Sequence, residues 1–288
     1  MFFRKKSKTA PPPPPRQTPL SAFVRSGDGE PLRALLRALP ARSEVIPETE
    51  GLDLPVGDFP ALCFCTPGHA PTGRFVLPAF SRPLDDEKTA KFLSELSTRE
   101  EELVVAGEGL TESALFSGEK AFAPRAFACA ADIALYTRAK SMCEGMHRDS
   151  AALFAPLLLS QKTAFLDVGL FAGKKRADGA PQSAEQIARL WQFFNECKPP
   201  LDADRYRFAF DYVCDRTIAV FADLALKREE TELRVLDENL RRANMALRVA
   251  IADRAPMRFV DALRKNGYRL PLPLRAAARL TLLKERSQ

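Results

Sequence analysis

Catalytic or metal chemistry would have to come from few residues, because the 288-residue chain holds only two histidines and six cysteines. Cys63-Phe-Cys65 with His69 offers thiolates and an imidazole, both good zinc ligands, but no second cysteine pair stands at zinc-finger spacing. On a strand, Cys63 and Cys65 share one face while Phe64 takes the other, which a packed hairpin also explains. Cys143 and His147 stand at i, i+4, where an imidazole lowers a thiol pKa if both face water. Cys129, fourteen residues earlier, falls on much the same helical face, which favours a packed stripe. No metal site and no nucleophile are assigned.

The glycine motifs fail in the same way. Gly169-Leu-Phe-Ala-Gly173-Lys174-Lys175 has three residues between its glycines, and Lys175 stands where a phosphate loop needs a hydroxyl for magnesium. Gly107-Glu-Gly109 has Glu112 in place of the third glycine of a dinucleotide fingerprint. No GxSxG occurs, and Asp85, Asp86 and Glu87 form an acidic cluster of the kind a helix dipole favours at its N-terminus. The sequence therefore names no catalytic residue and implies no cofactor. An enzyme of unidentified class ranks third among the functions considered.

The motif with the clearest binding chemistry is Pro11-Pro-Pro-Pro14-Pro15-Arg16. Its PxxPxR form presents a preformed polyproline helix through Pro11 and Pro14, and Arg16 reaches for an acidic pocket, as SH3-type grooves require. Ahead of it, Met1-Phe-Phe joins Arg4, Lys5, Lys6 and Lys8, a cluster suited to reversible adhesion on an anionic surface at ~1 kcal/mol per basic residue.

Charge is distributed unevenly. Residues 1 to 27 carry six basic side chains and no acid, which is the whole formal net charge of +6. From Arg254 to Gln288 nine basic residues face two acids, and the stretch 28 to 253 is correspondingly acidic. Arg264, Lys265, Arg269, Arg275 and Arg279 thus make a second candidate electrostatic surface at the C-terminal end. Aromatic interleaving for single-stranded nucleic acid is absent there, with only Phe259 and Tyr268 nearby.

These features need positioning. Residues 1–28 read as a disordered basic, proline-rich arm, and Pro31 to Leu39 as a short amphipathic helix. Residues 29–123 read as a small α+β domain. Its strands are Ala61 to Thr66, Arg74 to Phe80 and Glu102 to Ala106; the first two form a hairpin, and Asp85 to Leu96 has helical spacing. The stretch Arg74-Phe-Val-Leu-Pro-Ala-Phe-Ser81 with the helix after it resembles the strand-Pro-x-Phe-helix pattern of SseB-like domains over about two dozen residues; it carries no function across.

Residues 124–288 read as a helical domain. Helices are expected over Ala126 to Met146, over Ser183 to Cys197 behind a capping box at Ser183 and Gln186, and over one or two long segments in 202 to 252. The last has Leu233, Leu236, Leu240, Ala243, Leu247 and Ile251 as its apolar stripe, with Glu230/Arg234, Asp237/Arg241 and Glu238/Arg242 at i, i+4. Further helices follow near 257 to 266 and 273 to 285.

With 46% hydrophobic residues the chain can bury a sizeable core, so collagen, a disulfide scaffold and a fully disordered chain are excluded. No apolar run approaches the ~20 residues of a spanning helix, and no secretory signal is expected, so the cysteines are expected to be reduced thiols. The expected fold class is α+β: a small mixed α/β N-terminal domain, then a larger mainly helical one. The expected function is a non-catalytic interaction or scaffold subunit of a larger assembly, with protein partners and a cytoplasmic location. Binding of RNA or an anionic membrane surface through the basic ends is the alternative function, and mitochondria the alternative compartment.

Overall fold

Short apolar runs bounded by proline and glycine become strands, and the periodic segments become helices. The computed structural model describes residues 21–24, 45–47, 62–65, 74–77, 85–96, 99–118, 127–147, 150–170, 182–197, 201–254 and 258–287. Within these, the chain is α+β with a mainly helical larger part.

The strands are β1 (Ser21–Val24), β2 (Val45–Pro47), β3 (Leu62–Cys65), β4 (Arg74–Leu77), β5 (Leu103–Gly107), β6 (Ala128–Asp132) and β7 (Thr163–Asp167). They pair in the order β2-β1-β3-β4-β6-β5-β7. β3 and β4 form the expected antiparallel pair, Cys63 opposite Phe75. β5 lies antiparallel to β6 and parallel to β7, so Leu103 faces Ala131 on one side and Thr163 on the other. All five residues of β5 are buried, as its unbroken apolar sequence requires of a strand covered on both faces. Leu103 and Val105 join the main core, while Val104 and Ala106 point to the opposite face. Pairing of β4 and β5 with β6 carries the sheet across residue 123.

Two expectations change here. Part of the predicted arm, Ser21–Val24, pairs with β3, placing Ala22 opposite Phe64; residues 1–20 and 25–28 lie outside the described residues. The helix expected from Ala126 starts instead as β6. Alanine favours helix in isolation, but Ala128, Ala130 and Ala131 are buried between two strands, and pairing overrides propensity. Asp132 ends the strand and caps the helix that follows, its carboxylate accepting the Leu135 N–H at 2.6 Å.

The helices are α1 (Asp86–Leu96), α2 (Glu112–Phe116), α3 (Ile133–Met142), α4 (Ala155–Leu159), α5 (Ala184–Cys197), α6 (Ala203–Lys227), α7 (Glu230–Ala243), α8 (Met245–Arg254), α9 (Phe259–Lys265) and α10 (Leu272–Ser287). A π turn, Ser150–Phe154, leads into α4. The capping box of α5 is reciprocal: Gln186 N–H donates to Ser183 Oγ at 3.2 Å, and Ser183 N–H to Gln186 Oε1 at 3.0 Å. That helix buries Ile187, Leu190, Trp191 and Phe194, the residues its spacing selects.

The segment 202 to 252 holds three helices rather than one or two. Asn244 adopts an extended backbone that ends α7, and its Oδ1 accepts the Leu247 N–H to start α8. Leu233, Leu236, Leu240, Leu247 and Ile251 are buried as expected, but Ala243, beside the break, is exposed. α6 runs through the middle of the core, where Thr217 Oγ1 accepts the Trp191 indole N–H at 2.8 Å and so satisfies a buried donor.

Candidate interaction surface

The C-terminal segment is built around one acid. Asp237 on α7 is only 3% exposed, and four donors from three other places converge on its carboxylate. Arg264 of α9 donates through Nη2 at 2.6 Å and Nε at 3.1 Å to Oδ1; Arg248 of α8 and the Tyr268 hydroxyl donate to Oδ2 at 3.0 and 2.7 Å. Burial alone pushes this carboxyl up, but the hydrogen bonds from Arg264, Tyr268 and Arg248 outweigh it and hold it below the usual carboxylate range. Burial and the bond to Asp237 push the Tyr268 phenol up to about 12.

Local backbone chemistry delivers Tyr268 to this place. α9 ends in a Schellman motif: Gly267 takes φ +62°, its N–H bonds the Arg264 carbonyl, and the Tyr268 N–H bonds the Leu263 carbonyl at 2.8 Å. Tyr268 itself sits at φ +69°, unfavourable for a bulky residue, and is held there by Asp237 and by the Arg234 guanidinium 5.3 Å over its ring. Two i, i+4 expectations are thereby corrected. Asp237 turns inward to Arg248 and Arg264 instead of pairing with Arg241, and Arg234 bonds the Gly267 carbonyl. Glu238 takes both exposed partners, Arg241 and Arg242, which hold its carboxyl down at about 2.

α10 then packs chiefly against α6. Leu274, Ala277, Ala278 and Thr281 are buried along its inner face. At 100° per residue, Leu272, Ala276, Leu280 and Leu283 form a ridge on the opposite side. The three leucines are 77%, 57% and 60% exposed. A helix apolar on both faces normally has neighbours on both; among the described residues, this one has a body on its inner side only. Arg275, half-buried, and Arg279, exposed, line one flank of the ridge.

Of the basic residues singled out from sequence, Arg264 is therefore a largely buried structural partner of Asp237, not a surface group. Lys265 is exposed and pairs with Asp261 at 2.7 Å. Arg269, Arg275 and Arg279 remain at or near the surface. Pro11, Pro14, Arg16, Arg4, Lys5, Lys6 and Lys8 lie outside the described residues. Sequence reasoning singles out the charges of this segment and passes over its leucines; the signal for them is leucine on two opposite faces of one helix.

Elsewhere the reactive side chains are withdrawn. Burial pushes the Cys129, Cys143 and Cys214 thiols up to about 12 and Cys197 to about 11, so none is a ready thiolate. Cys129 lies on β6 and Cys143 just past the end of α3, so the two do not share a helix face as the spacing suggests. Cys63 and Cys65 take their places on β3, whereas His69 lies outside the described residues. Among the described residues no group of three His, Cys, Asp or Glu gathers as a metal site. The described starts of the two glycine motifs lie close together: Gly109 N–H donates to Asp167 Oδ1 at the carboxyl ends of β5 and β7, and a Cβ on Gly169 would lie 3.0 Å from the Glu108 side chain, while Gly173, Lys174 and Lys175 lie outside the described residues. Among the described residues the side chains there, Asp167 and Glu108, are acidic.

Sequence reasoning also misses a buried polar cluster. Ser150 Oγ, at the start of the π turn, lies 2.9 Å from the Tyr212 hydroxyl and accepts from Gln182 Nε2 at 3.3 Å. It ties the turn and the start of α5 to α6. No protein-family model, no curated protein and no solved structure matches this chain.

Proposed function

We propose that this chain is a non-catalytic subunit of a larger protein assembly, with the outer ridge of α10 as its contact surface. The observation that carries the reading is the ridge itself: three leucines, each more than half exposed, aligned on one face of a helix whose other face is buried. Fully burying a leucine is worth about 1.5–3 kcal/mol, so a partner covering the ridge gains several kcal/mol that the isolated chain forgoes. The leucines lie along about 16 Å of helix, at the 1.5 Å rise per residue, which suits helix-on-helix packing. The PxxPxR segment at Pro11, Pro14 and Arg16 is a second proposed docking element. Cys129, Cys143, Cys197 and Cys214 are free thiols, which suits a reducing compartment such as the cytoplasm. No helix among the described residues is long and apolar enough to cross a membrane.

The alternative reading, RNA or an anionic membrane surface held by the basic ends, draws on exposed Arg269 and Arg279. Salt and site-specific crosslinking separate the two. A photo-crosslinking side chain replaces Leu280 in the native cell, with the same group at exposed Arg207 as control. The expected result is a defined protein adduct at 280, absent at 207, formed at about 0.3 M salt and indifferent to nuclease, because apolar contacts are little screened. Adducts only to nucleic acid or lipid, or none at that salt, would reverse the ranking.

A further inference from the structure

We infer that the occupant of the α10 ridge is an amphipathic helix of a partner protein whose apolar stripe is flanked by Asp or Glu. This rests on the reading of α10 as a contact surface and adds the chemistry of what covers it.

Charge complementarity selects the occupant. Four of the five described basic residues from Arg254 to Arg269 find acids within the chain: Arg254 meets Asp211, Arg258 meets Asp253, Lys265 meets Asp261 and Arg264 meets Asp237, while Arg269 is exposed with no acid among the described residues. Among the described residues, Arg275 and Arg279 meet none, and the single acid from residue 262 to the end is Glu285. These two arginines stand one turn apart, about 6 Å, on the same flank of the ridge, beside its middle. A partner stripe edged with carboxylates buries the leucines and pairs both guanidinium groups in one geometry.

The competing occupants fit less well. A second copy packed antiparallel sets each arginine flank against its own counterpart, a like-charge contact. The chain's own Pro31 to Leu39 segment carries Arg33 and Arg37 and no acid, so it repeats the charge instead of complementing it. A bilayer favours a broad apolar face with Trp or Phe at its edge, and this ridge is narrow and has neither.

The test uses the full chain and two labelled synthetic helices of one apolar heptad pattern, one with Glu and one with Lys at the flanking positions, read by fluorescence anisotropy. Vesicles of phosphatidylserine and phosphatidylcholine form a third arm. The Glu helix is expected to bind about tenfold or more tighter than the Lys helix. Leu280→Glu should abolish binding of both, and the double variant Arg275→Glu/Arg279→Glu should invert the preference while melting like the parent. Equal binding of the two helices, or a Glu preference left unchanged in the double variant, overturns the acidic occupant, yet the protein adduct at residue 280 would still stand. Vesicle binding with neither helix bound overturns it in favour of a bilayer. A dimer in sedimentation that Leu280→Glu disperses overturns it in favour of a second copy.

Discussion

Two neighbouring stretches of one basic segment use arginine in opposite ways. Around Asp237, Arg248 and Arg264 are drawn into the body and spent on a single buried carboxylate. One helix later, Arg275 and Arg279 flank leucines that face water. Net charge would count all four alike. The difference lies in whether an acid is within reach among the described residues, and it separates a structural lock from charges left at the surface.

The sharpest way to break the lock is Asp237→Ala. Two guanidinium groups and a phenol then lose their shared acceptor in a largely buried site, and the expected loss of stability is about 3–5 kcal/mol in urea denaturation. A loss under 1 kcal/mol would mean that water replaces the carboxylate and that the cluster locks nothing.

The two faces of α10 give the next comparison. Leu274→Ala, on the inner face, should cost about 2–3 kcal/mol, because the methyl groups removed are packed against the core. Leu280→Ser, six residues on, should stay within about 0.5 kcal/mol while removing the crosslinked partner. Similar costs at both positions would show that the outer ridge already has a cover.

A smaller effect sharpens the account of the lock through pH. The folded chain holds Asp237 ionised more readily than the unfolded chain, whose carboxylate titrates near ~3.9. Its contribution is complete above that value and is lost as pH falls through the lower folded value. Tyr268 runs the other way: its contribution is complete below the ordinary ~10 and is lost as pH climbs toward about 12. Urea midpoints across pH should therefore fall at both ends. Tyr268→Phe should remove the alkaline fall and cost about 1 kcal/mol in between; an unchanged alkaline limb would assign it to other groups.

Much of this architecture was legible in the sequence. The capping box at Ser183 and Gln186, the β3–β4 hairpin and the stripe of Leu233, Leu236 and Leu240 follow from local spacing, and local spacing positions them. β6 was not legible, because five residues reading Ala-Cys-Ala-Ala-Asp become a strand only when β4 and β5 stand on either side. The role of Asp237 was hidden for a similar reason: Arg241 lies at the right distance along the helix, but the donors that win come from two other helices and a turn. The leucine ridge was hidden differently. A helical wheel marks both apolar faces and does not say which one the body takes.

The parallel pairing of β5 with β7 also sets an order in time. Leu103 meets Thr163, sixty residues downstream, and closing a loop of that length costs on the order of 3–4 kcal/mol in chain entropy before any strand contact repays it. The turns joining α6 to α7 and α7 to α8 are only one or two residues long, so those contacts form at almost no such cost. When the whole chain refolds, these helices are therefore expected to assemble early and the sheet to close late. During synthesis β5 leaves the ribosome well before β7 exists, and for that interval the apolar Leu-Val-Val-Ala strand has an open edge toward its parallel partner. The newborn chain is most exposed to chaperone capture or mispairing in that window.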